Sequence, residues 1–313
     1  MPAVPLLPDR LPAAARLSRW RALDGWEHRR FDWAAEPVRG SVLLQGGRAD
    51  VIEKYLDLAA HLHDRGWTVT SFDWRGQGGS GRLGIGDAGH VAGFAAFEDD
   101  LAAFWDAWAQ EAPGPHVVVA HSMGAHLVLR ALAAGRIAPA AVVLSAPMVQ
   151  VRSPLGQRGG FAFARWMCRT GAPRRAAWAM PDHPAAVEQR LRRLTVDTAR
   201  GQDGRWWEAD GALRLGAPSW GWVAQAFLSG AALLRDGRLA TVVTPILFLV
   251  PEHDQLVDPR AALKIAARMP TAEVVRFGPE SGHEVLREGA AVRDRAFAAI
   301  DRLLERVGER GNA

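Results

Sequence analysis

The sequence predicts an α/β fold built on a mostly parallel sheet. Short, continuous apolar runs recur at residues 41–45, 67–72, 117–119, 141–145, 245–250 and 273–277. Segments with helical apolar spacing separate most of them. Strands that are apolar throughout, rather than alternating with polar residues, point to a sheet covered by helices on both faces. At residues 117–124 such a run meets a small-x-Ser-x-Gly turn, and helix-like sequence follows at once.

Residues 1–16 read as a loosely packed arm. From Ser18 to Ala34 the aromatics Trp20, Trp26, Phe31 and Trp33 flank Asp24-Gly25, a hairpin signal, so an antiparallel strand pair is expected at the sheet edge. The run 41–45 is a buried strand, Gly46-Gly47-Arg48 a turn, and residues 51–65 an amphipathic helix ended by Gly66. The strand 67–72 leads into the glycine-rich loop 73–81. That loop has no Gly-Lys-Ser/Thr and is no phosphate cradle; Asp73 and Arg75 are expected to pin it. A helix over 94–110, the serine-bearing strand, a helix to about residue 134 and the strand 141–145 follow. Helices over 260–268 and 290–306 accompany the last two strands.

Residues 147–238 break the rhythm. They hold no strand-like run and carry Trp166, Trp178, Trp206, Trp207, Trp220 and Trp222 with many Arg and Pro. The expected organisation is a core domain of residues 1–146 and 239–313 with a helical cap insertion, 147–238, over the C-terminal edge of the sheet, where open α/β folds bind ligands.

Composition narrows the function. Apolar residues make up 49% and charged residues 23%, ordinary for a soluble globular protein. The net charge of +4 comes almost wholly from scattered Arg, since Lys54 and Lys264 are the only lysines. That pattern argues against a nucleic-acid footprint; weak peripheral attraction to an anionic membrane surface is the remaining alternative. Cys168 is the single cysteine and no Cys/His cluster is visible, so neither an intrachain disulfide nor a metal site is expected. With no secretory signal pattern and no spanning apolar run, a cytoplasmic setting is expected, with contact at most peripheral to a membrane. The sequence does not speak to oligomeric state.

The turn at Ser122 has the layout of a nucleophile elbow, with Ala120 and Gly124 letting strand and helix pass close together. A serine hydroxyl needs a base, and the base needs an acid, in the chain order Ser, Asp or Glu, His. Asp254, just past the strand 245–250, is the expected acid, ahead of Asp258 and Glu252. Asp258 precedes Pro259 and a helix, which suits an N-cap. His283, in the loop after the strand 273–277, is the expected base. An oxyanion hole would use the backbone N–H of Met123 and that of Arg48, with Gly47 as the alternative. The Arg48 side chain could in addition touch an anionic headgroup or simply face solvent. His90, His121 and His126 are expected to be structural. The tryptophans of 147–238 are first of all the core of a helical layer; on a sharper reading Trp206, Trp207, Trp220 and Trp222 line an acyl-chain pocket.

With these residues in view, the chain resembles the α/β-hydrolase superfamily, and within it the monoglyceride lipase and bacterial lysophospholipase group. The resemblance rests on Gly47-Arg48 with Ile52-Glu53-Lys54-Tyr55, the loop Asp73-x-Arg75-Gly76-Gln77-Gly78-x-Ser80, and Gly89-His90-Val91 with Phe94 and Asp100-Leu101. It continues through His121-Ser122-Met123-Gly124, residues 213–223, Asp254 with Val257-Asp258, and His283-Glu284-Val285. Two positions depart from the pattern: Ala120 replaces the usual Gly, and Pro251 stands where Gly is common before the acid. The resemblance implies a serine hydrolase of single-chain lipid esters, lysophospholipid or monoacylglycerol, with no metal or organic cofactor. A small-ester carboxylesterase or prolyl-type aminopeptidase on the same residues, and a non-catalytic binding scaffold, are the competing readings.

Overall fold

Every second residue of a strand faces the same side of its sheet, and here both sides are buried. In a computed structural model of the chain, described over residues 11–180, 183–202 and 209–311, Val118 and Ala120 enter one apolar cluster while Val117 and Val119 enter the other. The same division holds for Val142 and Leu144 against Ala141 and Val143, and for Phe248 against Leu247 and Leu249. This two-sided burial is why the sequence shows unbroken apolar runs.

Eight strands form one sheet: β1 (Arg16–Arg21), β2 (Glu27–Trp33), β3 (Gly40–Gln45), β4 (Trp67–Phe72), β5 (His116–His121), β6 (Ala141–Ser145), β7 (Ile246–Pro251) and β8 (Ala272–Phe277). Their spatial order is β1-β2-β4-β3-β5-β6-β7-β8. The pairs β1–β2 and β2–β4 are antiparallel and the rest parallel. The expected hairpin is therefore at the edge, turning where Gly25 adopts φ 87° and Asp24 Oδ1 accepts the Trp26 amide at 3.0 Å.

The helices are α1 (Leu56–His63), α2 (Ala95–Glu111), α3 (Met123–Ala133), α4 (Gly156–Arg169), α5 (Pro184–Leu194), α6 (Thr198–Gln202), α7 (Trp220–Arg235), α8 (Pro259–Ala266) and α9 (Ala290–Gly311). One differs from expectation. The segment read as a single helix from residue 51 begins as a 3-10 turn, Ile52–Tyr55, before α1. Its N-cap, Val51, offers no side-chain acceptor, and the Asp50 carboxylate just before it takes the Tyr55 hydroxyl and the Lys54 ammonium. Asp258 is the N-cap of α8, accepting the Arg260 amide at 3.0 Å.

Between residues 147 and 238 the described structure is helical, carrying α4 to α7. Isolated bridges Val151–Val257 and Gly89–Pro218 tie it to the loops at the C-terminal ends of the strands. Among the described residues, no helix is long and apolar enough to cross a membrane.

Candidate active site

Ser122 sits where β5 ends and α3 begins, with φ 51° and ψ −112°, a conformation rarely held by a residue other than glycine. The backbone around it fixes that geometry. The Ser122 amide donates to the Ser145 carbonyl at 2.9 Å, and the Ser122 carbonyl accepts from the His126 and Met148 amides at 3.0 Å each. Close passage of α3 over β3 requires Gly124: a Cβ there would lie 2.4 Å from the Gly46 carbonyl oxygen and 2.8 Å from that of Gln45. Ala120, two residues before the serine, is fully buried in the core, so its methyl is accommodated.

The serine is the head of a hydrogen-bonded row. Its hydroxyl lies 2.9 Å from His283 Nε2, and His283 Nδ1 lies 2.6 Å from Asp254 Oδ2. A carboxylate can only accept, so Nδ1 carries the proton and Nε2 is free to receive one from Ser122. The other carboxylate oxygen of Asp254 accepts the Leu256 and Val257 amides at 2.7 and 3.0 Å. Burial raises the Asp254 pKa, but the charge on His283 and these donors outweigh it, leaving the carboxyl below its ordinary value. Burial likewise disfavours the charged form of His283, and the Asp254 carboxylate overcomes this, holding its pKa above the ordinary histidine value. Pro251 does not disturb the acid loop: β7 runs through it, paired with Phe277. Arg152 clamps the loop instead, its Nε donating to the carbonyls of Asp254 at 2.8 Å and Val257 at 3.2 Å.

The loop after β3 is equally fixed. The Gly47 amide donates to Asp50 Oδ2 at 2.6 Å, Gln77 Nε2 donates to the Gly47 carbonyl at 2.9 Å, and Trp74 Nε1 donates to the Gly46 carbonyl at 2.8 Å. Gly47, the alternative oxyanion donor, is thus already committed to a carboxylate. Among the described residues the Arg48 and Met123 amides donate to no protein acceptor.

Behind these loops lies a chain of charges that sequence reasoning missed. Lys54 Nζ pairs with Asp50 Oδ1 and, at 2.5 Å, with Glu284 Oε1; Arg287 meets the other Glu284 oxygen at 2.5 Å. Burial pushes the Glu284 pKa up, but Lys54 and Arg287 pull it well below the usual carboxylate range. The chain joins the loop holding Arg48 to the loop holding His283. One signal was available: Lys54 is one of two lysines in an Arg-rich chain. His121 packs against His283, ring centres 4.8 Å apart, and burial together with that neighbour pushes its pKa down to about 3, keeping it neutral there. His126 Nε2 faces Ser229 Oγ at 2.7 Å and His90 Nδ1 faces Ser219 Oγ at 2.8 Å, both away from the row.

Above Ser122 lies a cavity of about 660 Å³, bounded by Ser122, His283 and Arg48 and by apolar side chains including Met148, Trp178, Leu191, Trp220, Trp222 and Phe227. Of the four tryptophans expected at an acyl-chain pocket, Trp220 and Trp222 line this cavity. Trp206 and Trp207 lie outside the described residues. Trp178 was not singled out for the pocket but lines it, whereas Trp166 is 57% exposed. Among the described residues, no group of three His, Cys, Asp or Glu side chains is placed to hold a metal ion.

The family model described as serine aminopeptidase, S33 (Hydrolase_4) matches residues 36–290. The chain belongs to this family. It is 33% identical to lysophospholipase L2 of Escherichia coli (strain K12) over 279 residues, 83% of this chain and 78% of that protein. A probable lysophospholipase L2 of Haemophilus influenzae is 28% identical over 273 residues, 85% of this chain and 84% of that one. Its fold is that of a soluble variant of monoglyceride lipase from Saccharomyces cerevisiae, with a TM-score of 0.75, 19% identity and coverage of 95% of this chain and 97% of that chain. This S33 chain has the α/β-hydrolase fold.

Proposed function

We propose that the chain is a carboxylic ester hydrolase that cleaves single-chain lipid esters, lysophospholipid or monoacylglycerol, through an acyl-enzyme on Ser122. The observation that carries this reading is the buried Ser122–His283–Asp254 row beside two uncommitted amides, those of Arg48 and Met123. His283 takes the serine proton as Oγ attacks the ester carbonyl. The two amides hold the oxyanion, each worth about 3–4 kcal/mol in comparable sites. His283 then protonates the leaving alcohol; in the second half it takes a proton from water as that attacks the acyl carbonyl, and returns it to Ser122 Oγ as the fatty acid leaves. Residues 147–238 act as the cap over this centre, and the apolar wall with Trp220 and Trp222 takes the acyl chain. The name of the E. coli relative supports a lysophospholipid, and the fold neighbour a monoglyceride.

A series of p-nitrophenyl esters of increasing acyl length, together with monoacylglycerol and lysophosphatidylcholine, tests the lipid assignment. Higher kcat/KM for long chains is expected. Strong preference for acetyl, or cleavage of N-terminal peptide bonds in place of esters, contradicts it.

The acid row also sets a pH profile. His283 must be neutral to act as base, and Asp254 raises its pKa above 6.5. Activity is therefore expected to rise with pH through a value above that of an ordinary histidine. Asp254→Asn removes the term that favours the imidazolium and leaves burial, which disfavours it. The acid limb should move to lower pH while the rate falls by about 10⁴-fold, as for the equivalent change in a serine protease triad. kcat/KM measured across the neutral range for both proteins reads the two effects together.

A further inference from the structure

We infer that the Arg48 side chain is a specificity residue that pairs with an anionic, phosphate-bearing headgroup beside the scissile ester. This rests on the ester-hydrolase reading above and narrows its substrate.

The motive is a charge imbalance in the cavity wall. Its carboxylates, Asp50 and Glu284, are both engaged by Lys54. Among the described residues, Arg48, Arg152 and Arg193 line the same cavity with no carboxylate within ion-pair distance. An anion entering the cavity therefore meets guanidinium groups and no free carboxylate. A fixed field of one sign in a low-dielectric cleft concentrates the opposite charge.

Arg48 directly follows Gly47, which packs against Ser122: a Cβ at Gly47 would lie 3.0 Å from the Ser122 Cβ. Its side chain is half-buried, with one terminal nitrogen donating to the Gly216 carbonyl and the guanidinium 5.5 Å from the Trp222 ring centre. These contacts aim the group without neutralising it. Its Nε is buried and donates to nothing. Burial pushes its pKa down to about 10, so it stays charged at neutral pH. Asp50 and Asp87 act on it only from beyond ion-pair distance; a desolvated cation without a contacting counterion is costly, and a planar guanidinium matches the oxygens of a phosphate. A glycerolipid carrying a phosphate on the alcohol side of the ester would supply the missing charge, its acyl chain lying along the apolar wall. A neutral monoacylglycerol would not.

The test compares esters with one short acyl chain, below their micelle concentrations: a monoacylglycerol, its 3-phosphate and the corresponding lysophosphatidylglycerol. Wild-type kcat/KM should favour each phosphate ester over the monoacylglycerol by at least about tenfold. Arg48→Met should erase most of that ratio, and Arg48→Lys should keep part of it. Because any shift of the oxyanion loop slows all esters alike, the ratio reads the side chain alone. Inorganic phosphate added to the monoacylglycerol assay should change nothing; a response would mean that the site takes free phosphate, and would overturn the inference. So would a wild-type ratio near one, or an equal loss on all substrates in Arg48→Met, which would make Arg48 a strut to Gly216. Failure to hydrolyse any ester, with no fluorophosphonate labelling of Ser122, would instead sink the ester-hydrolase reading itself.

Discussion

Ser122→Ala is expected to lower kcat by about a million-fold while leaving the fold intact, the scale seen when a serine nucleophile of this kind is removed. The hydroxyl makes one side-chain contact in the row, at 2.9 Å to His283. The strained backbone that presents it is held by main-chain bonds to Ser145, His126 and Met148, which alanine keeps. The melting temperature should therefore change little. Nucleophile and base act as one unit, so Ser122→Ala/His283→Ala should lose hardly more than Ser122→Ala. Additive losses would mean that the two residues serve separate steps.

Lys54→Met is expected to be the most damaging change outside the row. The ammonium is nearly buried between Asp50 and Glu284, with the Lys54 side chain 8% exposed. Removing one partner of a buried ion pair leaves charge uncompensated and costs about 3–5 kcal/mol. Here the Asp50 carboxylate that holds the Gly47 amide would be left with the Tyr55 hydroxyl as its main neighbour, and Glu284 with Arg287. The deficit has a pH signature. In the native protein Glu284 titrates below its ordinary value of 4.5, so its pairing stabilises the fold above that pH and the benefit is lost on acidification. The loss in Lys54→Met should therefore be full at neutral pH and shrink as the solution is taken below the carboxylate range. Urea melts at neutral and acidic pH measure this; a variant as stable as wild type at neutral pH would show that the charge chain carries no stability. Because Lys54 joins the loops of Arg48 and His283, a lower kcat is expected as well.

The sheet was legible because strands buried on both faces leave unbroken apolar runs, as at Val117 to Val119. The row was legible because the Ser122 turn predicts where an acid and a base must follow, and Asp254 and His283 stand there. Other features depend on contacts that no local pattern encodes. The sequence put Arg48 ahead of Gly47 as an oxyanion donor, but nothing local in it foretold that Asp50 takes the Gly47 amide. The Lys54–Glu284 pair links residues far apart in the chain, which spacing cannot foresee. Among the tryptophans, helical composition alone could not separate Trp178, on the cavity, from Trp166, facing outward.

The most direct measurement of the central claim is intact-protein mass after reaction with a fluorophosphonate, followed by peptide mapping. One adduct per chain, located on Ser122 and lost in Ser122→Ala, is the expected result. A folded protein that takes no adduct, or that carries it on another residue, would contradict Ser122 as the nucleophile.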